Sequence, residues 1–236
     1  MYHKIKDVFV IIPVFNEEKT IGKVLDLLKK KFTNIVCVDD GSSDGSLRLI
    51  KEKKVCSLKH VINLGQGASI QTGVDFAILK GAKFFLTFDS DGQHNLNDAI
   101  EMTKIIKKKK FDIILGSRFL HHKYEKQIPF FRKLMLKIAI YLSNFFSKIQ
   151  LTDTHNGLRV FNLRFAKKLN IKLDRMSHPH DILNNISKNK FKFKEYPTNI
   201  IYSKYSLSKG QKILIHLIYF LTWFLIYLDK CQKLFF

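Results

Sequence analysis

The sequence predicts an α/β fold with a mostly parallel central sheet, and three observations carry that prediction. Strand-like runs alternate with segments of helical periodicity, the runs are nearly continuous in Val, Ile and Phe, and polar clusters follow several of them directly. Such alternation is the signature of βαβ units. Continuous apolar strands are those buried on both faces, with helices covering each side. In these sheets ligands bind beyond the carboxyl ends of the strands, where the polar clusters fall.

The first strand is Val8 to Pro13. Basic residues precede it, but Pro13 and the pair Glu17-Glu18 follow too soon for a secretory signal. Ile21, Val24, Leu25 and Leu28 then recur at helical spacing. A second strand, Asn34 to Val38, runs into Asp39-Asp40-Gly41-Ser42-Ser43-Asp44, and a helix starts near Asp44. Further strands are expected at Val55 to Ile62, Phe84 to Phe88 and Asp112 to Leu115, with helices from near Gln66 and Leu96. Lys107 to Lys110 read as the solvated end of the latter helix.

Beyond Arg118 the alternation is expected to stop. Arg132 to Ile149 reads as an amphipathic helix, with Leu134, Ile138, Leu142 and Phe145 on one stripe, packed on the core or lying at a membrane surface. The last apolar block, Ile213 to Leu228, is sixteen residues interrupted by His216 and Thr222. As a helix it reaches about 24 Å, short of a roughly 30 Å hydrocarbon core. Its aromatic content suits interfacial embedding or docking on a small membrane-protein subunit. The division expected is a catalytic domain over 1–212, with halves 1–118 and 119–212, and a membrane-associated tail over 213–236.

A net charge of +21 makes anionic partners the expectation. Only six of the 41 basic residues are Arg, no basic and aromatic residues interleave on a recognition strand, and the acidic clusters would repel a phosphate backbone. Nucleic acid is therefore not an expected partner. Cys37, Cys56 and Cys231 are odd in number and widely spaced, which argues against a disulfide framework or a zinc site and for a reducing cytoplasm.

The strand Phe84 to Phe88 ends in two carboxylates one residue apart. On an extended strand end alternate side chains share a face, so Asp89 and Asp91 reach one pocket while Ser90 points away. Hard cations such as Mn²⁺ or Mg²⁺ take carboxylate oxygens and keep positions open for substrate phosphates. Asp39 and Asp40, after a buried strand, can accept hydrogen bonds from ribose hydroxyls or from the NH groups of uracil or guanine, or can cap the next helix with Ser42 and Asp44. Arg118 and Arg132 can form a phosphate clamp through paired, charge-assisted bonds.

In order along the chain stand VIIPVFNEE (10–18), VDDGSSDGS (38–46), NLGQGASIQTG (63–73), FDSDGQH (88–94), GSRF (116–119), DTHNGLRVF (153–161) and YSLSKGQK (205–212). Together they resemble the family-two glycosyltransferases of the A-type, Rossmann-like nucleotide-diphospho-sugar transferase fold, in the branch that includes dolichol-phosphate and polyprenyl-phosphate sugar transferases. The resemblance implies a nucleotide site at Pro13, Phe15 and Glu17 with Asp39 and Asp40. It implies that Asp89, Asp91 and Gln93 engage a metal and the sugar diphosphate, that Lys209 covers the donor, and that Arg118 and Arg132 meet an acceptor phosphate. His94 is a further ligand or a structural histidine. Asp181 is a base if the acceptor is a hydroxyl and a positioning group if it is a phosphate, with His178 and His180 as substitute bases.

The expected activity is inverting, metal-dependent transfer of a hexose from a UDP- or GDP-sugar to a polyprenyl phosphate at the cytoplasmic membrane face. Asp91, Arg118 and Asp181 are the expected catalytic residues. The alternative acceptor is a hydroxyl of a lipid-linked glycan or polysaccharide precursor.

Overall fold

The computed structural model describes residues 4–147, 149–171 and 178–202. Strand β1, Ile5–Val14, leads into helix α1, Ile21–Lys29, then β2, Phe32–Asp39, and α2, Ser46–Glu52. The short β3, Cys56–Lys59, precedes α3, Gln66–Leu79, and β4, Phe84–Thr87, precedes α4, Leu96–Lys107. After β5, Ile113–Ser117, come α5, His122–Glu125, and α6, Phe130–Ser147. The chain then forms β6, Arg159–Asn162, α7, Leu163–Ala166, α8, His178–Asn189, and β7, Phe193–Pro197.

Seven strands make one sheet in the order β3-β2-β1-β4-β6-β5-β7. Pairs β1/β2, β1/β4, β2/β3 and β5/β7 are parallel, whereas β6 runs antiparallel to both β4 and β5. The sheet is therefore mixed but mostly parallel as expected, because β6 alone is reversed. Beyond Arg118 helices follow one another in pairs, α5 with α6 and α7 with α8, while β6 and β7 add two further strands. Neither reads as a continuous apolar run: β6 is four residues beginning with an arginine, and charged residues alternate through Phe191-Lys192-Phe193-Lys194-Glu195.

Alternation along β1 divides the core. Val8, Val10, Ile12 and Val14 face the side covered by α1 and α4, where Ile21, Val24, Leu25, Leu28, Ala99, Met102 and Ile106 are buried. Ile11 faces the other side, covered by α3, α7 and α8 through Ile70, Val74, Phe165, Ile182 and Ile186. Each fully buried Leu or Ile stabilises by about 1.5–3 kcal/mol relative to exposure. Gly73 allows α3 to lie this close, because a Cβ there would strike Cγ2 of Ile11. The carboxyl ends of β1, β2 and β4 consequently emerge side by side.

Helix α6 answers a question that periodicity left open. Leu134, Ile138 and Phe145, with Phe130 and Tyr141, are exposed, while Ile140 and Ser143 are buried. Asn144 fixes the inner face by donating to the Leu151 carbonyl at 2.8 Å and accepting from Leu151 N at 3.1 Å. The apolar stripe therefore faces outward. Among the described residues no helix is long and apolar enough to cross a membrane; residues 213–236 lie outside the described residues.

Candidate active site

The loops after β1 and β2 are stitched into one rim. Asn16, left-handed at φ 53°, donates its backbone N–H to Ser42 Oγ at 3.0 Å and accepts from Ser43 N at 2.9 Å. Glu17 N donates to Ser46 Oγ at 2.8 Å, and Glu18 N donates to Asp44 Oδ2 at 3.1 Å. Asp44 also accepts from Ser46 N, so it serves the turn as the sequence allowed. The Glu17 carboxylate accepts from Thr20 Oγ1 at 2.9 Å, and Phe15 is exposed on the rim.

Asp39 and Asp40 have different surroundings. Asp40 accepts from Leu64 N at 3.0 Å and Gly65 N at 2.8 Å and lies 2.7 Å from His60 Nδ1, so it anchors the loop before α3. Asp39 is fully buried, and neither carboxylate oxygen has a hydrogen-bond partner among the described residues. A buried carboxylate without donors is costly, so it stands out at this strand end.

Asp89 is held from several sides. Gln66 Nε2 donates to Oδ1 at 3.0 Å, His94 Nε2 lies 2.8 Å from Oδ2, and Gly157 packs so closely that a Cβ there would collide with the carboxylate. His94 thus positions Asp89, and its ring stands edge-on to Phe88 at 5.2 Å. Ser90 turns away, donating to the Pro13 carbonyl at 2.9 Å and tying this loop to β1. Asp91 accepts from Gln93 N at 3.0 Å. Burial, then the neighbouring Asp89 carboxylate, push the Asp91 carboxyl up to about 6, and Glu17 adds to the rise.

This donor set fits a hard divalent cation. Asp89 and Asp91 stand two residues apart in one loop, and a hard cation takes carboxylate oxygens and would offset both the burial and the mutual repulsion that disfavour the Asp91 charge. No cluster of three or more His, Cys, Asp or Glu suited to a metal occurs among the described residues. Asp89 and Asp91 would therefore supply protein oxygens while a diphosphate completes the shell.

On the other side of Asp91 lie the arginines. Arg118 is buried and bidentate on Asp153, with Nε to Oδ2 at 2.6 Å and Nη2 to Oδ1 at 2.8 Å, and its backbone N–H also donates to Asp153. Burial opposes both charges, but each partner outweighs it: Asp153 is held below the usual carboxylate range and Arg118 above the usual guanidinium range. Glu195 on β7 braces this pair by accepting from Thr152 N, Thr152 Oγ1 and Asp153 N. Arg132, at the start of α6, stacks its guanidinium 5.2 Å from the Tyr202 ring centre. Burial lowers its proton affinity, and the field of Asp91 works the other way.

Residues 199–202 cross above the acidic loop. Asn199 N donates to Asp98 Oδ2, Ile200 pairs with His94, and Ile201 N donates to the Gln93 carbonyl. Asp181 sits in the first turn of α8, whose His180 ring stands 6.2 Å from His155 in the loop before β6. The structure therefore brings Glu17, Asp89, Asp91 and Arg132 within one another's electrostatic reach, ties Pro13 to the acidic loop through Ser90, leaves Phe15 exposed and Asp39 buried nearby at the ends of β1 and β2, and uses Asp40 and Arg118 to anchor neighbouring segments. Lys209 lies outside the described residues.

A model of the glycosyl transferase family 2 matches residues 9–169. The chain belongs to this family. It is 30% identical to a UDP-N-acetylglucosamine–dolichyl-phosphate N-acetylglucosaminyltransferase of Methanococcus voltae, over 89% of this chain and 92% of the relative. It is 24% identical to a polyprenol monophosphomannose synthase of Mycolicibacterium smegmatis, over 69% of this chain and 64% of that one. Both names bear out the lipid-phosphate branch identified from the motifs. Among solved structures, glucosyl-3-phosphoglycerate synthase of Mycobacterium tuberculosis with phosphoglyceric acid superposes with a TM-score of 0.66 at 11% identity, covering 87% of this chain and 75% of that chain. A likeness so remote in sequence shows the fold, and it is the A-type fold expected. That enzyme has also been crystallised with Mn²⁺, UDP and glucosyl-3-phosphoglycerate.

Within this family-two chain, sequence reasoning assigned no role to Gln66, Asp153, Arg159, Glu195 or Tyr202. Asp153 and Arg159 stand inside the quoted DTHNGLRVF motif, and a charged residue opening an apolar strand was the available signal. Glu195 and Tyr202 carried none.

Proposed function

We propose that this family-two enzyme transfers a hexose, with inversion, from a UDP- or GDP-sugar to a dolichyl- or undecaprenyl-type phosphate at the cytoplasmic face of a membrane. The observation that carries the reading is the juxtaposition of Asp91, on the acidic donor side, with the half-buried Arg132 stacked on Tyr202. A cation placed there suits an acceptor that is itself an anion. Such an acceptor is already ionised and needs no base, so Asp181 positions rather than takes a proton.

Asp39 would accept hydrogen bonds from the base or ribose of the donor, with Phe15 and Glu17 on the rim. Asp89, Asp91 and Gln93 would hold Mn²⁺ or Mg²⁺, which when bound offsets the charge developing on the departing diphosphate. Arg132 would hold the acceptor phosphate in line with the anomeric carbon, and Arg118, fixed by Asp153, would add a static positive charge behind it. Lys209 would cover the donor. The outward stripe of α6 and the block 213–228 would seat the catalytic domain, 1–212, on the bilayer. A small membrane-protein subunit is a further partner for the block.

The test is incubation with radiolabelled UDP-N-acetylglucosamine, GDP-mannose or UDP-glucose, a polyprenyl phosphate and Mn²⁺, followed by lipid extraction. The expected product carries label in the organic phase that mild acid releases, as a sugar phosphodiester does. Acid-resistant label would assign a hydroxyl acceptor and return Asp181 to the role of base.

A further inference from the structure

Arg159 opens β6 in the middle of the sheet, opposite Thr87 of β4 and Leu115 of β5. It is 2% exposed, its side chain makes no hydrogen bond or ion pair among the described residues, and its Nη1 is sealed from solvent without a partner. A buried, unpaired guanidinium is among the costlier features a fold can carry. The other fully buried arginine, Arg118, has a bidentate carboxylate. Arg159 has only the field of its neighbours: burial pulls its proton affinity down to about 10, against the attraction first of Asp89 and then of Asp153.

Two features tie this charge to the acidic loop. Gly157, two residues upstream, packs its backbone against the Asp89 carboxylate, and its carbonyl accepts from Thr87 Oγ1 at 2.7 Å. The strand that carries Arg159 is thus locked to the strand that leads into Asp89. Nη1 is closed off from solvent, and Asp89 is the first of the charges that act on this guanidinium. Its influence must pass through the carboxylates.

We propose that Arg159 is a positioning residue, a fixed internal counter-charge to Asp89 that holds the affinity of the Asp89–Asp91 pair for a divalent cation below that of a bare carboxylate pair. Asp89 then stays ordered without metal, and the cation binds well only when a donor diphosphate adds its own negative charge. After transfer the cation leaves with the nucleoside diphosphate. This rests on the metal-dependent reading above.

The experiment measures Mn²⁺ binding at pH 8 by electron paramagnetic resonance of the free ion, with and without UDP, for the wild-type chain, Arg159→Met and Arg159→Lys. Removing a positive charge near two carboxylates should tighten binary Mn²⁺ binding about tenfold. The gap between binary and UDP-assisted affinity should shrink, and the Mn²⁺ concentration for half-maximal activity should fall together with kcat. Arg159→Lys, which keeps the charge, should stay within about twofold of wild type. In an Asp89→Asn background most of the gain from Arg159→Met should vanish.

A merely structural arginine predicts the opposite sign, because a loosened loop holds metal less well. Unchanged or weakened Mn²⁺ binding in Arg159→Met overturns the inference. If that variant does not fold, a tenfold change in Arg159→Lys overturns it equally, and wild-type-like affinity there sustains it. Wild-type protein that binds no Mn²⁺ even with UDP would sink the metal reading itself, and with it this inference.

Discussion

Asp39 and Asp153 are both buried carboxylates, 0% and 2% exposed, yet one has no hydrogen-bond partner and the other is saturated. Asp153 accepts two bonds from the Arg118 side chain and one from its backbone, and Glu195 braces the segment around it. Asp39 has a strand on each side and no donor to its oxygens among the described residues. The contrast teaches how to separate scaffold from site: a paired buried charge is costly to break, whereas an unsatisfied one lowers stability and, on the proposed reading, is retained for the donor.

The largest expected effect breaks the satisfied member. Arg118→Ala strands Asp153 in the interior and should cost about 3–5 kcal/mol, read as a lower denaturant midpoint. Retention of wild-type stability would mean that the pair is dispensable and that Arg118 is free to serve a substrate. On the donor side, Asp91→Asn should lower turnover about a hundredfold or more, because several kcal/mol of leaving-group stabilisation is lost. Its melting temperature should hold or rise, since burial and Asp89 disfavour the Asp91 charge. Near-normal activity at saturating Mn²⁺ would remove Asp91 from the mechanism.

Asp39→Asn sharpens the comparison from the other end. The loss of charge-assisted bonds to base or ribose should weaken donor binding about tenfold or more, while stability stays level or improves. A stability loss comparable to that of Arg118→Ala would show that Asp39 is scaffold after all. Isothermal titration with the nucleoside diphosphate, alongside thermal melts, reads both quantities.

The smallest effect concerns pH. Burial lowers the His180 imidazole from 6.5 to about 4, so the unfolded chain binds the proton more readily between those values. Stability should therefore be fully present above about pH 6.5 and fall as pH drops toward 4. The whole shift converts to a ceiling of about 3 kcal/mol, and an effect on the order of 1 kcal/mol is expected. Denaturation of His180→Gln across pH 4–7 should show a shallower acid slope; an unchanged slope would assign the acid sensitivity to other groups.

Much of this was legible in the chain because the signals are local. The periodicity of Ile21, Val24, Leu25 and Leu28 determined α1 and its buried face, and the apolar runs before Asp39 and Asp89 determined two strands and the end at which a site must lie. The Asp89-Ser90-Asp91 alternation likewise determined that Ser90 turns away. Pairing partners were not legible, because they come from contacts far apart in sequence. Arg118 meets Asp153 across 35 positions, and Thr152 meets Glu195 across 43. Only the tertiary structure decided that β6 enters antiparallel between β4 and β5, that the α6 stripe faces outward, and which buried charges have partners. Periodicity gives a residue its face on an element, but whether a donor stands opposite that face depends on which distant segment the sheet brings beside it.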